Sequence, residues 1–489
     1  MNKQVSQVGV AALVLIISLI VGTTYWQTWA NAGLADRQDN AIRLVAQFSI
    51  NRGKIYAADG KTLLATNVRR KVSGQTLYFR RYPTGPLFSD VVGYSTQTHN
   101  QTGLERSYND YLTGSNANLD TVFRKTVDKL KGATIRGNDL ILTIRPGVQA
   151  LALRALRGKC GAVVALNPST GAVLAMASSP AYNPNLIEKH FARALRSGGS
   201  CGALINRATA GRYQPGSTFK VVTATAALNS GRFTPSSQFY DPGYCEEYGK
   251  QVRNAGNPEA PEAFGSVSLF AGLEHSINSV FCNVGKTIGA GMILSYAKRF
   301  GFYELPPLET PENERVASGL YFHGRLFDPK HPETQVDPGR LAFGQERLQV
   351  TPLEMAMVAA TVANHGVLMR PHAVQRVISP DGKTIVRVRP HKQARVMSPQ
   401  VASELNAMMQ AVVTGGTGPK GAIPGIPVAG KTGTAETGRG NIYTAWFIAF
   451  APANHPKVAV AVVVENQPGG FGGEVAAPIA KEVMEAILR

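Results

Sequence analysis

The 489-residue sequence predicts an α+β protein. It would have an antiparallel sheet flanked by helices, a smaller β-rich N-terminal domain and one N-terminal transmembrane helix. Three observations predict it. Strand-length apolar runs stand at both ends of the stretch 161–464, helix-period patterns fill its middle, and an unbroken apolar run of helix length opens the chain. The composition, 44% apolar and 17% charged, excludes a disordered chain or a collagen-like repeat and allows two or three domains. The net charge of +19 suits an anionic neighbour, whether nucleic acid, anionic lipid or acidic polymer, and does not choose among them. Four cysteines without a C-x-x-C are too few for a disulfide scaffold and show no zinc spacing.

In chain order, Val8 to Tyr25 is almost all Val, Ile, Leu, Ala and Gly, with Trp26 and Trp29 following where interfacial aromatics sit. Its length fits an uncleaved anchor better than a signal peptide cleaved after Ala30-Asn31-Ala32, whose apolar part is usually ~7–15 residues. Lys3 before the run and Arg37 and Arg43 after it give little charge asymmetry, so orientation must come from the chemistry. Residues 30–140 read as polar and β-rich, with a hairpin turn at Asp59-Gly60. Leu140 to Ile144 is a strand, and Pro146-Gly147 opens a helical pattern over Val148 to Leu156. Gly161 to Ala177 is a hairpin of buried strands about Asn167 to Gly171. Residues 220–300 are mostly helical in pattern and 303–340 loop-like. Thr351-Pro352-x-Glu354 starts a helix to His365, and Val374 to Val388 is a hairpin about Asp381-Gly382. Trp446 to Ala451 and Val458 to Val464 are buried strands, and Ala476 to Leu488 closes the chain as an amphipathic helix.

Three short motifs occur in order. Ser217-Thr218-Phe219-Lys220 is S-x-x-K, Ser276-Ile277-Asn278 is S-x-N, and Lys431-Thr432-Gly433 is K-T-G. Ser276 follows Ser217 by 59 residues and Lys431 follows Ser276 by 155. Singly the first two are weak, since S-x-x-K recurs at Ser295-Lys298 and S-x-N at Ser49-Asn51 and Ser107-Asn109. Setting separates them. A turn, Tyr213-Gln214-Pro215-Gly216, precedes Ser217 and an apolar helical pattern follows it. Ser217 would therefore sit at a helix N-terminus, where free N–H groups favour developing negative charge. Lys220 would return one turn later beside the serine. A serine needs a base to take its proton, and a lysine can serve if burial or a second cation such as Lys431 lowers its pKa. Lys431 to Ala435 reads as an exposed edge strand able to pair with an extended peptide, with room at Gly433 and a cation at Lys431 for a carboxylate.

Other candidates fail on context. Ser295-Lys298 lies inside a helical pattern and reads as a surface pair. Gly198-Gly199-Ser200-Cys201-Gly202 matches G-x-S-x-G but follows a basic helix instead of a strand. His275 adjoins Ser276 in sequence but would not face it. No H-E-x-x-H, phosphate loop or dinucleotide fingerprint is present, so no metal and no cofactor is expected. The basic stretch Arg376 to Arg395 reads as a solvated hairpin face, and no reader motif supports nucleic-acid binding.

With these motifs in order, the chain resembles the class B penicillin-binding proteins, single-anchor peptidoglycan transpeptidases, and within them a division-associated actinobacterial branch. Arg52-Gly53 with Asp59-Gly60 and Leu64-Ala65, then Arg81-Tyr82-Pro83 and Gly103-Leu104-Glu105, are similar to the family's N-terminal boxes. Gly161 to Pro180, Asn206-Arg207-Ala208, Pro215 to Lys220, Leu273-x-x-Ser276-x-Asn278, Phe343-Gly344-Gln345, Ala429 to Thr434 and Trp446-Phe447 continue the likeness. Arg145 departs from it, standing where the family usually has an acidic residue.

The resemblance implies an acylated Ser217, a basic Lys220, a proton-relaying Ser276 and an orienting Asn278. It also implies a carboxylate grip by Lys431, Thr432 and Thr434 at a strand opened by Gly433, and an oxyanion hole from the backbone of Ser217 and Thr434. The substrates would be D-Ala-D-Ala stem peptides of peptidoglycan and the inhibitors β-lactams. Partners would be a membrane glycan polymerase of the SEDS type and division proteins. The expected layout is a cytoplasmic tail over 1–7, an anchor over 8–29, a non-catalytic dimerisation-type domain over 30–146 and a transpeptidase domain over 147–489, the bulk being extracytoplasmic. The alternatives are a carboxypeptidase or β-lactamase-type hydrolase and a non-catalytic β-lactam sensor. The pairing of Cys160, Cys201, Cys245 and Cys282 stays open among three possibilities.

Overall fold

The computed structural model describes residues 3–25, 48–72, 74–115, 134–196, 198–254 and 262–489. Helix α1 (Lys3–Tyr25) has a 19-residue stretch, Gln7–Tyr25, of mean hydropathy 2.3 with none of it buried, long and apolar enough to cross a membrane. Trp26, Trp29, Ala30 to Ala32, Arg37 and Arg43 lie outside the described residues.

Strands β1 (Ile55–Tyr56), β2 (Leu63–Val72), β3 (Gln75–Arg81) and β4 (Asp139–Leu142) form the N-terminal sheet. The Asp59-Gly60 turn joins β1 to β2, with Asp59 Oδ1 accepting the Lys61 and Thr62 N–H groups at 3.0 and 2.8 Å. The three family-like boxes of this region meet at one buried carboxylate. Arg52 Nε donates to Glu105 Oε2 at 2.7 Å and Arg80 Nε to Glu105 Oε1 at 2.6 Å, while the Tyr82 hydroxyl lies 3.4 Å from Oε1. Burial would raise the Glu105 pKa, but Arg80 and Arg52 together hold it below its ordinary value.

Beyond the sheet, α2 (Pro146–Ala155) leads to β5 (Gly161–Leu166) and β6 (Val173–Ser179), and the serine motif opens α3 (Lys220–Asn229). Then follow α4 (Asn278–Ile288), α5 (Pro352–Ala363), β7 (Val374–Ile378), β8 (Thr384–Arg387) and α6 (Pro399–Thr414). Strands β9 (Ala429–Glu436), β10 (Ile442–Ala451) and β11 (Val458–Pro468) precede the closing α7 (Gly472–Leu488). The central sheet is five-stranded and antiparallel, in the order β9-β10-β11-β5-β6.

Strand alternation feeds two cores. On β10, Trp446, Ile448 and Phe450 join the helical core, while Ala445, Phe447 and Ala449 face the layer of α2 and α7. Helix α5 is buried along all its length beneath the sheet, which is why its sequence shows no polar face.

The structure corrects three expectations. The stretch 220–300 also holds short strands at Gln238–Asp241, Tyr244–Glu247, Lys250–Arg253 and Gly265–Ser268, the middle two joined by a local turn and the outer two paired with each other, contacts that a helix period cannot register. The basic hairpin is more than a solvated face, because β7 pairs with β4 (Val377 opposite Leu140) and completes a six-stranded sheet, β8-β7-β4-β1-β2-β3. A strand as apolar as β4 has both edges covered, one by β1 in parallel and one by a hairpin more than 200 residues away in sequence. The last correction concerns the edge strand of the site and is described below. The cysteines pair as Cys160–Cys201 and Cys245–Cys282.

Candidate active site

The approach to Ser217 is clamped before the serine is reached. Trp446 Nε1 donates to Gln214 O at 2.9 Å, and the Tyr213 hydroxyl donates to Glu465 Oε1 at 2.7 Å. Arg207 Nε holds the same carboxylate oxygen at 2.8 Å, and Gly216 N donates to Gly344 O at 3.2 Å. Gly216 has φ +51° and a Cβ there would come within 2.8 Å of Thr434 O, so the turn can reach β9 only as glycine. Ser217 then lies in a 3-10 turn, Gly216–Phe219, that runs directly into α3. The predicted helix start is present, its first turn tightened. Lys220 is the first residue of α3 and is fully buried.

The Lys220 ammonium is wired to the second motif. It donates to Ser276 O at 2.6 Å, Ser276 Oγ at 3.3 Å and Asn278 Oδ1 at 2.8 Å, and stands 5.4 Å from the Phe281 ring centre. Lys431 reaches the same hydroxyl from the opposite side, donating to Ser276 Oγ at 2.8 Å and to Thr432 O at 3.1 Å. Ser276 therefore bridges two lysines. Among the described residues the half-buried Ser217 hydroxyl has no hydrogen-bond partner, so it is free to turn toward a ligand or a base. Burial, and after it the charge of Lys431, pushes the Lys220 pKa well below 10.5. Burial brings Lys431 down to about 7.

Ser276 is held by a helix end. The helix Leu269–Glu274 closes with Ser276 N donating to Leu273 O at 3.3 Å and Ile277 N to Gly272 O at 2.9 Å. That is a Schellman closure with Ser276 at its left-handed position, φ 60°, where glycine is usual. Replacing the hydroxyl therefore has a distinctive expected signature. Ser276→Gly should be more stable than Ser276→Ala by about 1 kcal/mol, reversing the usual order of these residues. Denaturant midpoints of the two variants check this; equal midpoints would mean the strain is absent.

The third motif sits on the sheet edge. Among the described residues no strand pairs with the outer side of β9, as an edge strand requires. The expectation of an exposed edge is corrected, because most of β9 is buried, Lys431 fully so. The Ser217 turn packs on it. The space left by Gly433 is taken by Pro215 O and the Thr218 methyl, each 2.8 Å from where a Cβ would stand. Thr432 Oγ1 lies 2.6 Å from Thr417 Oγ1, and Gly472 N donates to Thr434 Oγ1 at 3.2 Å. Lys431 and Gly433 therefore face the serine, while Thr432 and Thr434 face the entry of α7.

The structure thus gathers Ser217, Lys220, Ser276, Asn278 and Lys431 in one place, with Thr432, Gly433 and Thr434 on the adjoining strand. Ser295 and Lys298 are exposed on the helix Ala290–Phe300, as expected. Cys201 of the G-x-S-x-G decoy is in a disulfide, and His275 stacks on Phe264. Sequence reasoning missed Phe281, three residues after Asn278 on α4, a spacing that could have revealed it. It also missed the clamp of Glu465 and the pairing of Thr417 with Thr432, for which no local signal exists.

A half-buried serine with a free hydroxyl, a buried low-pKa lysine one turn on, a second serine bridging two lysines, and a sheet edge beside them define an active-serine acyltransferase of the penicillin-recognising fold. Residues 161–485 match the penicillin binding protein transpeptidase domain, and residues 52–140 match the penicillin binding protein A dimerisation domain. The chain is 36% identical to the peptidoglycan D,D-transpeptidase PbpA of Mycolicibacterium smegmatis, covering 100% of this chain and 99% of that one. It is 37% identical to PbpA of Mycobacterium tuberculosis over the same shares. The ceftriaxone acyl-enzyme complex of penicillin-binding protein A from M. tuberculosis superposes with a TM-score of 0.81 at 36% identity, over 91% of this chain and 100% of that one. The chain belongs to the penicillin-binding protein transpeptidase family, and its similarity to the penicillin-binding protein A members runs through both domains.

Proposed function

We propose that this protein is a peptidoglycan D,D-transpeptidase working through a Ser217 acyl-enzyme and inhibited by β-lactams. The observation that carries the residue assignment is the Ser276 hydroxyl shared by Lys220 and Lys431. Neutral Lys220 takes the Ser217 proton as the hydroxyl attacks the penultimate D-Ala carbonyl. The backbone N–H groups of Ser217 and Thr434 receive the oxyanion. Ser276 carries the proton toward the leaving D-Ala nitrogen, and Asn278 keeps Lys220 aimed. An amine of a neighbouring stem then takes the acyl group. Thr432, Gly433 and Thr434 form the strand against which the donor lies, and Lys431 supplies positive charge toward the donor carboxylate. In this reading residues 1–7 are cytoplasmic, 8–29 anchor the chain, 30–146 form a non-catalytic domain and 147–489 the transpeptidase, outside the membrane. A SEDS-type glycan polymerase and division proteins are its partners.

The test is intact mass after incubation with a β-lactam, with the adduct mapped, followed by D-Ala release from a stem-peptide donor with and without an amine acceptor. One adduct, on Ser217, and release that rises with the acceptor are expected. An undiminished adduct in Ser217→Ala would sink the assignment. Release indifferent to the amine would make the protein a hydrolase, and no turnover at all a sensor.

Lys431 gives a separable expectation. Because its charge helps to depress the Lys220 pKa, Lys431→Ala should move the rising limb of the acylation rate to higher pH. A donor with a free carboxylate should also lose about 10–100-fold, as expected for a charge-assisted bond, and one masked as an amide much less. Rate–pH profiles for the two donors separate the effects. An unmoved limb with equal losses would leave Lys431 as a strand residue only.

A further inference from the structure

Away from the serine, a cavity of about 550 Å³ opens where the β7–β8 hairpin meets the turn between β5 and β6. That is within the ~300–1,000 Å³ usual for small-molecule sites. None of the active-site residues lines it, and neither does any carboxylate. Its wall carries Arg376, Arg387 and Arg389, with Thr143, Thr170 and His372 beside them. Arg376 and Arg387 are direct cross-strand partners, a register in which like charges repel. Arg376 Nε is buried with no hydrogen-bond partner. Among the described residues none of the three guanidinium groups makes a side-chain hydrogen bond or ion pair. A buried N–H without an acceptor and two opposed cations are each unfavourable, and an oxyanion between the arginines relieves both.

We propose that this cavity is a binding site for an anionic ligand, held through a phosphate- or carboxylate-type group by the forks of Arg376 and Arg387, with Arg389 as a third cation. The cavity is larger than the oxyanion alone, so the group belongs to a molecule whose body occupies the rest. The site is built on both domains. Its polar flank is the Thr143 hydroxyl, which donates to Val173 O at 2.7 Å, and the Ala172–His372 bridge between the β5–β6 turn and the strand leading into β7.

The test titrates the full chain in neutral detergent with sodium diphosphate and, separately, with glutarate, at constant ionic strength, by calorimetry. Saturable binding of at least one is expected. It should weaken about tenfold or more in Arg376→Gln and in Arg387→Gln, while β-lactam acylation is unchanged. Arg387→Lys, which keeps the charge but loses the fork, should also bind more weakly than the native protein. Binding of diphosphate alone identifies a phosphate ligand, and of glutarate alone a carboxylate. Absence of saturable binding by both, or binding unaltered in all three variants, overturns the proposal. Unchanged acylation keeps either result separate from the reading of the serine site.

Discussion

Lys220→Met should slow β-lactam acylation by about 10²–10⁴-fold, the range for losing a general base, while the protein folds at least as well as the native one. The reason is local. The Lys220 side chain is fully buried and touches Ser276 and Asn278 through its ammonium alone. Methionine fills a similar volume without the charge, and removing a charge held in the interior lifts its desolvation cost. The pH dependence fixes the sign. The pKa of Lys220 is depressed in the folded state. Its contribution to stability is therefore fully present above the ordinary 10.5 and lost as pH falls through the depressed value. Lys431, at about 7, behaves alike. As pH falls the native fold therefore loses stability on account of both lysines, and Lys220→Met should lose less. Stopped-flow acylation and denaturation midpoints at pH 6 and pH 9 measure the two sides. Near-native acylation would assign the base elsewhere, and a variant much less stable at pH 6 would contradict the burial argument.

Glu105→Ala should cost about 3–5 kcal/mol of stability, the range for breaking a buried ion pair by removing one partner. Glu105 is fully buried and serves both Arg52 and Arg80. Without it two guanidinium groups share an interior site with no carboxylate in contact with either among the described residues, and Arg80 Nη2 already lacks a partner there. Because its folded pKa is depressed, the contribution of Glu105 is present above its ordinary value of 4.5 and lost as pH falls through the lower one. The variant's deficit should therefore shrink under strong acid. Urea denaturation at pH 7 and pH 3 checks both statements. A loss below about 1 kcal/mol at pH 7 would show that water reaches the arginines, as at an exposed pair.

The chemistry of the site was legible in the sequence to a degree that the N-terminal region was not. Pro215-Gly216 before Ser217 and the apolar run after it announce a helix start, and three-residue spacing puts Lys220 beside the serine. Both are rules of local geometry that hold wherever the segment is packed. The same holds for the short apolar runs of β10 and β11 and for the Thr351 cap of α5. Nothing local says that Arg52, Arg80 and Glu105 converge, because they lie in separate segments with no common period. Nothing local says that β7 and β8 leave the domain of the serine to complete the N-terminal sheet.

The sequence by itself determined the long helices and strands, the order of the three motifs and a serine at a helix start with a lysine one turn on. Each of these follows from backbone geometry within one or two turns. Only the tertiary structure decided that Cys160 pairs with Cys201 and Cys245 with Cys282. It alone placed the Lys431 ammonium on the Ser276 hydroxyl and filled the room at Gly433 with the serine's own turn. It also set the β7–β8 hairpin against the turn between β5 and β6, around an open cavity. These contacts join segments tens to hundreds of residues apart. Which of them meet is set by how whole faces pack and how edges are covered, and no window of sequence contains that information.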